Sequence, residues 1–166
     1  PIPADTILDD VVIPMMIATR GYRVLFDPLA KAFDPQPLDV KRERGRKRRT
    51  MAGNFQLLFR YPVWLLPWRN RLWMQLISHK YLRLLGPALL VSVFSLNVCL
   101  LDVFLYRVVF LAQVACYALA AIGFLVPAAR VGPVSACLGF VFLNVRVVDG
   151  FIAYITRAYS GGWGRN

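Results

Sequence analysis

The hydrophobic and polar positions divide the chain into four zones. Residues 1–56 mix both kinds and end in a basic run, and residues 57–84 interleave aromatic and charged side chains. Residues 85–155 are almost continuously apolar, and residues 156–166 are glycine-rich and polar. A bilayer crossing needs about 20 apolar residues. The pattern therefore predicts a mixed domain, an interfacial segment, a transmembrane zone and a flexible tail, with three spans near Leu85–Leu105, Val108–Pro127 and Val131–Ile155.

The first 40 residues predict a small α/β unit. The acidic pair Asp9-Asp10 precedes a mainly apolar run that ends near Gly21, which indicates a helix with an N-terminal cap and a glycine stop. Short runs at Tyr22–Phe26 and Leu29–Phe33 then predict two strands.

The basic run Lys41–Asn54 predicts one helix, because several of its residues share a face at helical spacing. These are Arg42, Arg46, Arg49 and Gly53, with Thr50 one turn after Arg46. Arginine presents a planar fork of donors and stays charged, so a file of guanidinium groups suits a diphosphate. Basic runs beside apolar spans also bind anionic lipid head groups, and the sequence leaves both interpretations open.

Residues 57–84 predict a segment that lies in the head-group region. Tryptophans alternate with cationic side chains here, which is typical of helices at a membrane surface. The lone His79 fits a polar interface contact better than a ligand. Aromatic rings among basic residues also suit single-stranded nucleic acid, but the adjacent apolar spans argue against a nucleic-acid partner.

The third apolar segment carries polar and charged residues, Asn144, Arg146 and Asp149. Arg146 and Asp149 are three residues apart and can pair on one helix face, which favours an inward-facing helix contact. Three full crossings would place the C-terminus opposite the basic run. An incomplete third crossing would place the C-terminus on the same side as the basic run. The sequence does not decide between these two topologies.

Composition adds sidedness to this picture. A net charge of +11 with 58% hydrophobic residues is typical of a membrane protein with a basic inner face. Twelve of the 20 Lys and Arg residues lie between Lys41 and Arg83, which predicts that this region is cytoplasmic. Cys99, Cys116 and Cys137 are far apart in apolar segments, so we expect them to be small core residues.

The acidic pair has two interpretations. Carboxylates at a helix start cap it and interact favourably with its dipole, which would account for Asp9 or Asp10. Alternatively, a carboxylate at the end of a short loop can take a proton from a sugar hydroxyl as a general base.

The order of these features resembles a known family. The matching segments are Asp-Asp at 9–10, Gly-Tyr-Arg-Val at 21–24, Asp-Pro at 27–28, Ala-Gly-Asn at 52–54 and Ser-His-Lys-Tyr-Leu-Arg at 78–83. Together with the membrane spans, they resemble the C-terminal half of a processive, membrane-integrated family 2 glycosyltransferase, such as the hyaluronan, cellulose and poly-N-acetylglucosamine synthases.

The resemblance implies a fold and a set of site residues. Residues 1–56 would be the C-terminal part of a GT-A-type α/β domain, with Asp10 as general base and Asp9 as its supporting helix cap. The family's Gln-x-x-Arg-Trp motif, aligned on Gly53, falls on Arg46, Arg49 and Thr50. Arg49 keeps the family's arginine, whereas Arg46 and Thr50 replace its Gln and Trp. We expect Arg46, Arg49, Thr50 and Gly53 to bind the substrate diphosphate or the acceptor.

The resemblance also implies partners. These would be a nucleotide sugar, a glycan acceptor and the lipid bilayer, with a divalent metal (Mg or Mn) whose ligands precede this segment. We therefore expect the chain to be part of a longer enzyme and to be inactive alone.

Overall fold

A computed structural model describes residues 2–25, 27–31 and 40–158 of the chain. Within these ranges the regular structure is helical, in the order α1 Asp9–Thr19, α2 Val40–Arg60, α3 Trp73–Leu76, α4 Leu82–Cys99, α5 Phe104–Leu125 and α6 Gly132–Ile155. A π-helical turn, Ile77–Tyr81, joins α3 to α4, so that Trp73–Cys99 is one continuous helix. Short 3-10 turns lie at Pro62–Leu65 and Pro127–Ala129.

The prediction of an α/β fragment is wrong, because the described residues contain no strand. Where strands were expected, residues 22–25 are irregular, and the Ala30 N–H donates to the Asp27 carbonyl at 3.2 Å in a turn. Phe26 and residues 32–33 lie outside the described ranges. The physical reason is lack of context: Leu25 is 83% exposed, and apolar alternation forms a strand only where a neighbouring strand and a buried face are available.

Helix α1 starts differently from the prediction and stops as predicted. Leu8 occupies the N-cap, so Asp9 and Asp10 lie in the first turn, and the Asp10 N–H donates to Asp9 Oδ1 at 3.0 Å. Gly21 has φ of 90°, and the Tyr22 N–H donates to the Ile17 carbonyl at 3.3 Å. These contacts are those of a glycine-terminated helix, which confirms the predicted stop.

The helix predicted over the basic run is confirmed, and α2 continues beyond it to Arg60. Compactness divides the chain into two units, one running to Leu84 and resuming at Asp149, the other spanning Leu85–Val148. In the first unit, the end of α6 packs along α2 in parallel register. Its contacts are the Arg48–Asp149 ion pair at 3.2 Å, the Phe55–Phe151 rings at 5.0 Å and the stacked Phe59–Tyr154 rings at 5.6 Å.

The second unit consists of the rest of α4, α5 and α6. The Phe94 and Phe110 rings lie 5.3 Å apart, and Gln113 Nε2 donates to the Leu90 carbonyl at 3.1 Å, so α4 and α5 are in contact. Most large apolar side chains of this unit are exposed, including Phe104 and Phe124. Such a surface suits lipid rather than water.

Three helices of the described chain are long and apolar enough to cross a membrane: Trp73–Cys99, Phe104–Leu125 and Gly132–Ile155. This finding agrees with the three predicted spans and makes the chain a multi-pass membrane protein by length and composition. The first of these helices starts earlier than the predicted Leu85, because the interfacial turns α3 and Ile77–Tyr81 are continuous with it.

Gly150 allows α6 to approach α2 closely, which gives a stability prediction. A Cβ at this position would lie 3.2 Å from the Met51 carbonyl carbon and closer still to Met51 Cβ. We expect Gly150→Ala to force the two helices apart and to destabilise the protein by about 1–3 kcal/mol.

Thermal unfolding in detergent, followed by tryptophan fluorescence, measures this effect. Gly139→Ala is the matched control on the same helix, because a Cβ there meets nothing within 4 Å. An unchanged Tm for Gly150→Ala would contradict the contact.

Candidate functional site

One face of α2 holds the segment that leads into the acidic pair. Gln56 uses both ends of its side-chain amide: Oε1 accepts from the Ile7 N–H at 2.9 Å, and Nε2 donates to the Asp5 carbonyl at 2.9 Å. Gln56 is buried. Its amide therefore satisfies the N–H of the buried Ile7 and the carbonyl of Asp5.

Gly53 makes the neighbouring contact, one turn earlier on α2. A Cβ at this position would lie 2.5 Å from Leu8 Cγ and 3.0 Å from Ile7 Cγ2. Glycine is therefore the residue that lets residues 7 and 8 lie directly on the helix backbone.

Arg60 makes the third contact, through both terminal nitrogens, with the two carboxylate oxygens of Asp5. This hydrogen-bonded pair lowers the pKa of the Asp5 carboxyl and raises the pKa of Arg60. A lowered carboxyl pKa stabilises the fold above the ordinary value of 3.8, so the contribution is present at neutral pH and is lost as pH falls through the lowered native value.

The three contacts define what we call the α2 seat: Gly53, Gln56 and Arg60 holding residues 5–8. The order is antiparallel, because Arg60 holds Asp5, Gln56 holds Asp5 and Ile7, and Gly53 holds Ile7 and Leu8. Arg49 is the next residue on this face of α2, one turn before Gly53. Asp9 and Asp10 are the next residues of the seated segment. The segment that precedes the acidic pair therefore runs toward the arginine-bearing end of α2.

The predicted site residues occupy distinct environments. Asp10 is exposed and Asp9 half-buried in the first turn of α1, while Arg46 is exposed and Arg49 half-buried on α2.

Thr50 Oγ1 donates to the Arg46 carbonyl at 2.9 Å, so this hydroxyl is used within the helix. Gly53 is buried in the α2 seat, which gives it a packing role. The roles of these residues in substrate binding stay predictions.

A polar groove of about 590 Å³ adjoins the α2 seat. Asp5, Arg60, Tyr154 and Arg157 line it together with Phe59. Arg157, two residues after the end of α6, has φ of 51°, an uncommon conformation for a residue other than glycine. None of the predicted site residues lines this groove.

Sequence reasoning missed Gln56, Arg60 and Asp5. A signal was present, since Gly53, Gln56 and Arg60 continue the helical spacing of Arg42, Arg46 and Arg49. The spacing does not show which segment contacts this face of α2. That segment, residues 5–8, lies about 50 residues earlier in the chain.

The chain matches no protein-family model, no curated protein and no solved structure.

The Gln56 amide gives a prediction for the α2 seat. Gln56→Leu removes the partners of two backbone groups, so we expect a loss of about 1–3 kcal/mol in stability. Hydrogen exchange at the Ile7 amide should become faster. Gln75→Leu, at an exposed position, is the matched control and should change neither quantity. Equal exchange at Ile7 in both variants would contradict the hydrogen bond.

Proposed function

We propose that this chain is part of an enzyme that transfers a sugar, with inversion, from a nucleotide diphosphate sugar to a glycan or other hydroxyl acceptor at the cytoplasmic membrane face. The observation that carries the proposal is the α2 seat. In it, residues 5–8 run along α2 toward the end that bears Arg49, and the exposed Asp10 follows two residues after Leu8.

In this reaction the acceptor oxygen attacks the anomeric carbon of the donor sugar. The bond between that carbon and the diphosphate oxygen breaks. Asp10 accepts the acceptor's proton as the new bond forms. An exposed carboxylate at the start of a short helix is accessible to a sugar hydroxyl, and residues 5–8 hold its backbone in place.

Negative charge builds on the departing diphosphate. Arg49, with Arg46 beside it, would donate hydrogen bonds to the phosphate oxygens and stabilise this charge. A preorganised contact of this kind typically contributes about 3 kcal/mol to barrier lowering.

The divalent metal that the resemblance implies would need ligands outside the described residues. Among those residues no group of three or more His, Cys, Asp or Glu side chains comes together. When bound, such a metal would add to the stabilisation of the diphosphate charge.

The membrane helices would hold this site at the bilayer surface. Twelve of the 20 Lys and Arg residues lie between Lys41 and Arg83, which favours a cytoplasmic position for α2.

The enzymatic proposal predicts different effects for two cations on α2. We expect Arg49→Ala to lower sugar transfer by about 100-fold, because one contact to the leaving group is lost. Lys47→Ala removes the same charge from the opposite side of the helix and should leave transfer within about twofold. Transfer from sugar-labelled nucleotide sugars by the intact protein in membranes measures both.

Asp10→Asn completes the test and should abolish transfer at normal membrane expression. Retained activity would reduce Asp10 to a helix-terminus residue. Equal effects of Arg49→Ala and Lys47→Ala would support the competing function, in which the polybasic helix binds anionic lipid or a partner by charge alone.

A further inference from the structure

The last turns of α6 belong to the same compact unit as the basic helix. The Arg48 guanidinium lies 3.2 Å from the Asp149 carboxylate, and the rings of Phe59 and Tyr154 are stacked at 5.6 Å. Ala153 is fully buried. The chain leaves this unit after Leu84 and re-enters it at Asp149.

This return constrains how often the chain crosses a membrane. A helix with seven Lys and Arg residues between Lys41 and Arg49 lies in water or among head groups, on one side of the bilayer. Residues 149–154 contact that helix, so they lie on the same side. A chain that departs from one side and returns to it crosses an even number of times. Three full crossings are therefore incompatible with the contacts of α6.

Charge spacing favours α6 as the helix that does not cross. The sequence has about 18 uncharged residues between Arg83 and Asp102, which correspond to roughly 27 Å of helix. It has about 22 uncharged residues between Arg107 and Arg130, which correspond to roughly 33 Å. Between Arg130 and Arg146, the stretch that contains most of α6, it has only about 15 uncharged residues, or roughly 22 Å of helix. The hydrocarbon core is about 30 Å thick, so α6 fits it least well.

The polar residues of α6 fit a shallow position. The Arg146 guanidinium lies 4.6 Å from the centre of the Phe142 ring, and an arginine is costly at the bilayer centre. Asp149 retains 31% side-chain exposure beside Arg48. Neither group would need to lie at the bilayer centre in a helix that runs along one face of the membrane.

We propose that α4 and α5 are the two membrane crossings, and that the continuous helix α6, whose two ends then lie on the same side, lies along that face of the bilayer without crossing it. Its last turns form a docking surface for α2. Residues 149–158, including Arg157 of the polar groove, then face the same aqueous side as the basic run. This topology rests on the contacts of α6 and does not depend on the proposed sugar transfer.

Cysteine labelling tests the proposal on the full chain in cells. In a background with Cys99, Cys116 and Cys137 replaced by serine, single cysteines are placed at four exposed positions, Gly45, Asp102, Ala128 and Arg157. A membrane-impermeant maleimide should label only Asp102→Cys in intact cells. The other three, Gly45→Cys, Ala128→Cys and Arg157→Cys, should react only after permeabilisation.

Three crossings would give a different pattern, with Arg157→Cys labelled in intact cells together with Asp102→Cys, and that result would overturn the proposal. Ala128→Cys is the internal control, because both topologies place it on the side of Gly45. If the Arg157 variant fails to reach the membrane, C-terminal fusions decide. A green fluorescent protein fusion should fluoresce in a bacterial host and an alkaline phosphatase fusion should be inactive; the reverse would overturn the proposal.

Discussion

The contact on which the rest of the structure depends is the α2 seat, where residues 5–8 lie along one face of a basic helix. Polar and apolar contacts both stabilise it. The buried Gln56 amide satisfies two backbone groups, and the absence of a side chain at Gly53 lets Ile7 and Leu8 lie against the helix. The seat fixes the direction of the chain into α1. The segment that leads into the acidic pair thereby runs toward the end of the helix that carries the arginines.

Helix α2 has a second partner on a different face. The residues that meet α6 are spaced three, four and four apart, and they are Arg48, Met51, Phe55 and Phe59. Those of the seat alternate with them along the helix, so α2 is packed on two sides and its residues 51–57 are all buried. A helix with so basic an N-terminal half is thus integrated into a folded unit. The packed residues are 48–60, and Arg46 and Lys47 before them are exposed.

Local patterns in the sequence predicted the elements that depend on local physics. The glycine stop at Gly21, the helix over the basic run and three apolar helices follow from backbone freedom, period and length. The two strands were predicted wrongly, because a strand needs a partner that periodicity does not supply. The seat and the docking of α6 join residues about 50 and 100 positions apart. Spacing identified one face of α2 but carried no information on what occupies it.

Proximity of the acidic pair to the arginine face is tested most directly by crosslinking. In a cysteine-free background, Asp10→Cys is combined with Arg49→Cys or with Lys47→Cys, and the intact protein is treated in membranes with a short bifunctional maleimide. The α2 seat predicts an intramolecular crosslink for the pair at 10 and 49, and little for the pair at 10 and 47. Crosslinking that is equal for both pairs, or greater with position 47, would contradict the account.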